Sequence, residues 1–170
     1  YSSDYSNRRV MKYTLESDGT YTATVVAGGN GNGSDNNQFS SPRGIHVDSS
    51  GNIYVADQSN HRVMKWASLG SEGTVVAGTG TSGSATNQLS NPYAVDVDSS
   101  GNIYVGDYSN NRIVKWAPGA TSGTVVVSGI YAFGIHVDSS GNIYASDISY
   151  HRIMKYTLES DGTYTATVVA

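Results

Sequence analysis

Short runs of alternating apolar and polar residues, each ended by a turn signal, occupy most of the chain and predict strands throughout. Gly44 to Asp48 is a short apolar strand, and Ser49-Ser50-Gly51 is its turn, with glycine available for positive φ. Asn52 to Asp57 is the next strand, Ser59-Asn60 the next turn, and His61 to Ala67 the third strand. Gly73 to Ala77 is the fourth. The chain is poor in helix formers and rich in β-branched, aromatic and turn residues, which favours an all-β fold.

The pattern recurs. Val47-Asp48-Ser49-Ser50-Gly51-Asn52-Ile53-Tyr54 returns at 97–104 and 137–144. A second phrase, Ala56-Asp57-Gln58-Ser59-Asn60-His61-Arg62-Val63-Met64-Lys65-Trp66, recurs at 106–116, 146–156 and 3–13. Its aspartate falls at 4, 57, 107 and 147, giving spacings of 53, 50 and 40. Several short strands per period of about 40 to 50 residues are the signature of propeller blades. One four-stranded sheet cannot bury both faces alone, so it must stack on its neighbours.

These phrases carry a resemblance. Gly-Ile-x-Val-Asp-x-x-Gly-Asn-Ile-Tyr-Val-Ala-Asp-x-x-Asn-x-Arg-Val at 44–63, with variants from Ala94 and Gly134, resembles the NHL repeat. The resemblance implies an all-β propeller of four-stranded antiparallel blades. Relatives of this kind are commonly closed rings of six blades and serve RNA binding, protein binding and, in one branch, metal-dependent lyase chemistry. Fold membership transfers none of these activities by itself.

The whole chain reads as a single propeller segment, residues 1–170: three complete blades at about 41–77, 91–127 and 132–170, and a partial blade at 1–27. The partial blade lacks its innermost strand. Residues 1–27 match 144–170 at 22 of 27 positions. The ring is therefore expected to include further residues or to close through other chains, with a second copy the expected partner.

Composition narrows the chemistry. The chain has no Cys, which excludes a disulfide framework and a thiolate metal site. Its 10 Lys and Arg residues are scattered and the net charge is −4, so a nucleic-acid partner is not expected. No apolar run is long enough for a membrane span, and Tyr1-Ser2-Ser3-Asp4 is not a signal peptide.

The Asp/Arg pairs Asp4–Arg9, Asp57–Arg62, Asp107–Arg112 and Asp147–Arg152 stand five residues apart across a tight hairpin, which suits a charge-assisted hydrogen bond. They obey the repeat, as structural pairs do. His46 and His136 share one place in the innermost strand and Asp96 holds it between them. Innermost strands line the central channel, so this trio is the candidate metal set, and the resemblance to the lyase branch is what recommends it. His61 and His151 fall in a turn occupied elsewhere by Asn111 and Arg8, the pattern of a variable exposed site.

The Asp-Ser-Ser-Gly-Asn turns at 48–52, 98–102 and 138–142 carry one carboxylate each, too few for calcium. The glycine-rich stretches at 28–33 and 78–83 lack a following Lys-Ser/Thr and link one blade to the next. The third link, Ser128 to Phe133, is about ten residues shorter. Asn32-Gly33-Ser34 is a formal glycosylation sequon. Tyr13, Trp66, Trp116 and Tyr156 end the third strands, where blade packing competes with a sugar platform.

The expectation is a non-catalytic scaffold for a protein or ligand, needing no cofactor and completed by self-association. The alternatives are a channel-metal lyase or hydrolase and a carbohydrate-binding propeller.

Overall fold

A computed structural model describes residues 1–68 and 70–170. It is all-β, and each sheet is a meander of consecutive strands. The first sheet has three strands, β1 (Ser2–Asp4), β2 (Arg9–Leu15) and β3 (Tyr21–Gly28). Blade 2 holds β4 (Pro42–Val47), β5 (Ile53–Asp57), β6 (Arg62–Trp66) and β7 (Gly73–Ala77). Blade 3 holds β8 (Pro92–Val97), β9 (Ile103–Asp107), β10 (Arg112–Trp116) and β11 (Thr124–Ser128). Blade 4 holds β12 (Ala132–Val137), β13 (Ile143–Asp147), β14 (Arg152–Leu158) and β15 (Tyr164–Val168). The fold is a β-propeller arc of three complete blades and one partial blade, the latter without an inner strand.

Local chemistry fixes each turn. Asp48 Oδ1 accepts the backbone N–H groups of Ser50 and Asn52 at 3.0 and 2.9 Å, while Asn52 Nδ2 donates to Oδ2 at 2.7 Å. Asp98 and Asp138 repeat this arrangement. Those carboxylates organise their own turns, and Gly51 supplies the positive φ of 80°. The opposite hairpin corner is built differently. There Arg8, His61, Asn111 and His151 sit at φ between 50° and 55°. Asn tolerates that region better than Arg or His, so the other three corners are strained and are held by the pairing on either side.

The core lies between blades, not within them. Phe39 joins Val10 and Ala27 of blade 1 to Ile53, Met64 and Trp66 of blade 2. Leu89 joins Val63 and Ala77 of blade 2 to Val105 and Trp116 of blade 3. Ile130 joins Ile113 and Val127 of blade 3 to Ala145 and Met154 of blade 4. Each linker thus drives one apolar plug into the seam it spans. Inner strand β8 lies against both β4 and β12, the approach being close enough that a Cβ on Gly44 would stand 2.7 Å from Tyr93 O.

Trp66 and Trp116 are among the largest fully buried side chains, and Tyr156 is also buried. These three aromatics are blade packing and offer no sugar platform. Tyr13, at the same repeat position on the open face of blade 1, is exposed.

Candidate functional site

The inner strands bring two sets of side chains together at opposite ends. At the end nearest the Asp-Ser-Ser-Gly turns, Asp96 is the node. Its Oδ1 faces His46 Nδ1 at 2.5 Å, and its Oδ2 faces His136 Nδ1 at 3.1 Å and the Val137 N–H at 2.7 Å. A carboxylate only accepts, so both imidazoles carry their proton on Nδ1, and in the neutral form each presents an acceptor Nε2 elsewhere. Sequence placed these three residues together, and so does the structure. Their facing atoms are hydrogen-bonded to one another. Among the described residues no group of three His, Cys, Asp or Glu side chains is arranged to hold a metal ion.

Burial alone would raise the Asp96 pKa, but hydrogen bonds from His46 and the Val137 N–H outweigh it and hold the carboxyl below its ordinary value of 3.8. A depressed carboxyl adds stability above its unfolded pKa and loses that contribution as pH falls through its folded one. Asp96→Asn is therefore expected to cost about 1–2 kcal/mol at neutral pH. The gap from wild type should narrow below pH 3.8, which thermal melts across that range would check. A constant gap would mean that the carboxylate charge contributes nothing.

The other end of the inner strands carries a set that sequence reasoning missed. Arg43, Tyr93 and Phe133 occupy one register position, immediately after Pro42, Pro92 and Ala132. The Arg43 guanidinium lies 4.2 Å from the Tyr5 ring centroid and 5.1 Å from that of Tyr93, and its Nε donates to Gln58 Oε1 at 2.8 Å. Tyr93 packs at 4.7 Å on Tyr108 and 5.0 Å on Phe133, and Tyr108 continues to Tyr131 at 5.6 Å. The result is a track across all four blades, with rings from blades 1, 3 and 4 and the Arg43 cation from blade 2. Among the described residues Arg43 makes no ion pair. The available signal was that residue types at 43, 93 and 133 differ while their neighbours repeat.

The Asp/Arg pairs fall on this same edge. Arg62 Nε meets Asp57 Oδ2 at 3.2 Å, Arg112 meets Asp107 at 2.7 Å, Arg152 meets Asp147 at 3.0 Å and Arg9 meets Asp4 at 2.9 Å. His61 is not a free surface group, because its Nδ1 accepts the Asn91 N–H at 3.1 Å. His151 is exposed.

With geometry in place, likeness to known proteins can be weighed. The NHL repeat profile matches residues 39–66 and 89–116, the spans that hold the plug, the inner hairpin and the Asp/Arg corner of blades 2 and 3. Those two spans are similar to NHL repeats. No curated protein matches it. Among solved structures, a gluconolactonase from Xanthomonas campestris superposes with TM-score 0.75 at 14% identity, over 98% of this chain and 56% of that one. Nidogen, from its complex with laminin, gives 0.71 at 20%, over 96% and 59%. Virginiamycin B lyase from Staphylococcus aureus gives 0.59 at 15%, over 79% and 43%. The chain thus spans about half the length of the structures it matches, and at these identities the likeness is one of fold.

One expectation is corrected by these neighbours. Obedience to the repeat argued for a non-catalytic scaffold, yet the arc shares its fold with a lyase and a gluconolactonase. The symmetry argument weighed positions that recur. Recurrence of the frame leaves open the position at which blades differ, where Asp96 stands between His46 and His136.

Proposed function

We propose that this NHL propeller segment binds a partner protein along the ring-lined edge of its inner strands, as part of a ring completed by a second copy of the chain. The track from Tyr5 through Arg43, Tyr93 and Tyr108 to Phe133 carries the reading. Loops and strand ends that vary on a rigid frame are where binding concentrates, and aromatic residues with Arg are the types enriched at interface centres. Nidogen, seen with laminin, has the same fold and is a precedent for protein binding on it. The combined variant Arg43→Ala, Tyr93→Ala should lose binding at least tenfold on an array of secreted and cell-surface proteins while melting close to wild type. Unchanged binding would remove this edge as the site, and selective capture on a glycan array instead would favour carbohydrate.

Closure by a second copy rests on the two end faces of the arc. Ile153 is 36% exposed, whereas Val63 and Ile113 at the same repeat position are 0% exposed under the Leu89 and Ile130 plugs. A recess of about 430 Å3 lined by Phe133, Ile153 and Ala170 lies where such a plug would enter. Leu15, Tyr21 and Val25 are exposed on the opposite face. Apolar faces of this kind are rarely left in water. Light scattering on the 170-residue chain should give at least twice the 17.9 kDa chain mass, and a monodisperse species at that mass would sink this part of the proposal.

A second reading has its own observation. Asp96 fixes the tautomer of two imidazoles and leaves both Nε2 atoms as acceptors, an arrangement suited to proton abstraction in lyase or hydrolase chemistry. His136→Ala would then abolish turnover of a lactone or cyclic ester substrate without touching binding at the aromatic edge.

A further inference from the structure

The hairpin corners of blades 2, 3 and 4 share the frame Asp-x-Ser-x-x-Arg, yet one of them stands without its clamp. Arg62 Nη1 donates to Ser34 O at 2.6 Å, and its Nη2 to Asp35 O and Gln38 O at 3.1 and 3.0 Å. Arg112 does the same to Ser84 O, Ala85 O and Gln88 O at 2.8, 3.2 and 3.0 Å. Beside each fork, Asn60 and Asn110 donate to Gly33 O and Gly83 O. Each arginine therefore grips the main chain of the long linker entering its own blade, at the first two and the last carbonyl of the Ser-x-x-x-Gln part of a Gly-Ser-x-x-x-Gln turn.

In blade 4 that turn is missing from the interior of the chain. The link from Ser128 to Phe133 is too short to form it, and Ile130 goes straight into the preceding seam. Arg152 keeps only its Nε contact to Asp147, and no hydrogen bond from its Nη atoms is formed among the described residues. Its side chain is 35% exposed, against 5% for Arg62 and 10% for Arg112. Asp147 remains buried at 1%, and its Oδ1 has no partner, whereas Asp57 Oδ1 takes the N–H groups of Ser40 and Ser41 and Asp107 Oδ1 that of Ser90. Where Asn60 and Asn110 stand, blade 4 has the exposed Tyr150, its ring 4.7 Å from the Arg152 guanidinium.

We propose that the Arg152 corner is a receptor for a peptide turn of a partner protein, one that presents its main-chain carbonyls as residues 34–38 and 84–88 do in the sibling blades. The occupied siblings define the ligand. A planar fork aligned by a carboxylate suits carbonyl oxygens, and the ion pair with Asp147 leaves little net charge to draw a free anion. Tyr150, lying on the guanidinium, supplies an apolar wall in place of the asparagine.

The experiment uses the full chain and a labelled synthetic peptide of residues 78–91. Saturable binding is expected in fluorescence anisotropy with a Kd of about 0.1–1 mM, the weakness reflecting the ordering of a short flexible peptide. Arg152→Lys keeps the charge, loses the fork and should weaken binding at least tenfold. A variant with residues 79–88 copied between Gly129 and Ile130 should fill its own corner and bind no peptide. Absence of saturation with the wild-type chain overturns the proposal. So does equal affinity in Arg152→Lys, or displacement of the peptide by millimolar inorganic phosphate, which would make the corner an anion site.

Discussion

Arg112→Ala is expected to lower folding stability by about 3–5 kcal/mol, the range for removing one partner of a buried ion pair. Asp107 is 0% exposed and would keep its charge without its cation. The carbonyls of Ser84, Ala85 and Gln88 would lose their donors in the same stroke, loosening the linker that carries Leu89. Arg152→Ala removes the same residue of the repeat and also strands a buried carboxylate, Asp147, but that arginine holds no loop, so the loss should be smaller than for Arg112→Ala by about 1–2 kcal/mol, the share of the clamp. Urea melts of both variants give the comparison. Equal losses would mean that the carbonyl clamp contributes nothing and that the pair alone sets the cost.

Trp116→Ala should be of similar size, about 3–5 kcal/mol for emptying a large aromatic site in a packed core. The Trp116 ring is 1% exposed and fills the space over Gly123, where a Cβ would stand 2.8 Å from it. Tyr13→Ala, at the equivalent position but 50% exposed, should change stability by about 0.5 kcal/mol or less in a monomeric arc. A large loss for Tyr13→Ala, with concentration-dependent melting, would show that its face is covered in solution.

Sequence carried the architecture because a propeller blade is a local object. Its turns, its period and the five-residue Asp/Arg spacing are all readable within one repeat. The clamp was legible only as a pair. That Arg62 also holds Ser34, Asp35 and Gln38 depends on how the preceding linker folds back, and no periodic pattern encodes it. The channel trio was legible because His46, Asp96 and His136 share a position and the inner strands stand side by side. The ring-lined edge was not. Tyr5 and Tyr108 share one position of the repeat, after the corner aspartate, Tyr131 comes from another, and both meet the 43/93/133 position only once the strands are folded beside one another. Excluding catalysis failed for a related reason, since regularity of the frame says nothing about its irregular residues.

The placement of the plugs has a consequence for synthesis. Blade 2 ends at Ala77, but the seam over Val63 and Ala77 closes only around Leu89. Each sheet therefore keeps one greasy flank until the linker and then the next blade have left the ribosome, and the plug arrives earliest after the shortened third link, since Ile130 follows Ser128 almost at once. Growth from the N-terminus should then proceed as a ratchet, each emerging linker latching the sheet behind it. A pause that holds Leu89 inside the ribosome after Ala77 has emerged would leave the Val63 flank without its plug, and a pause that lets Leu89 emerge would not.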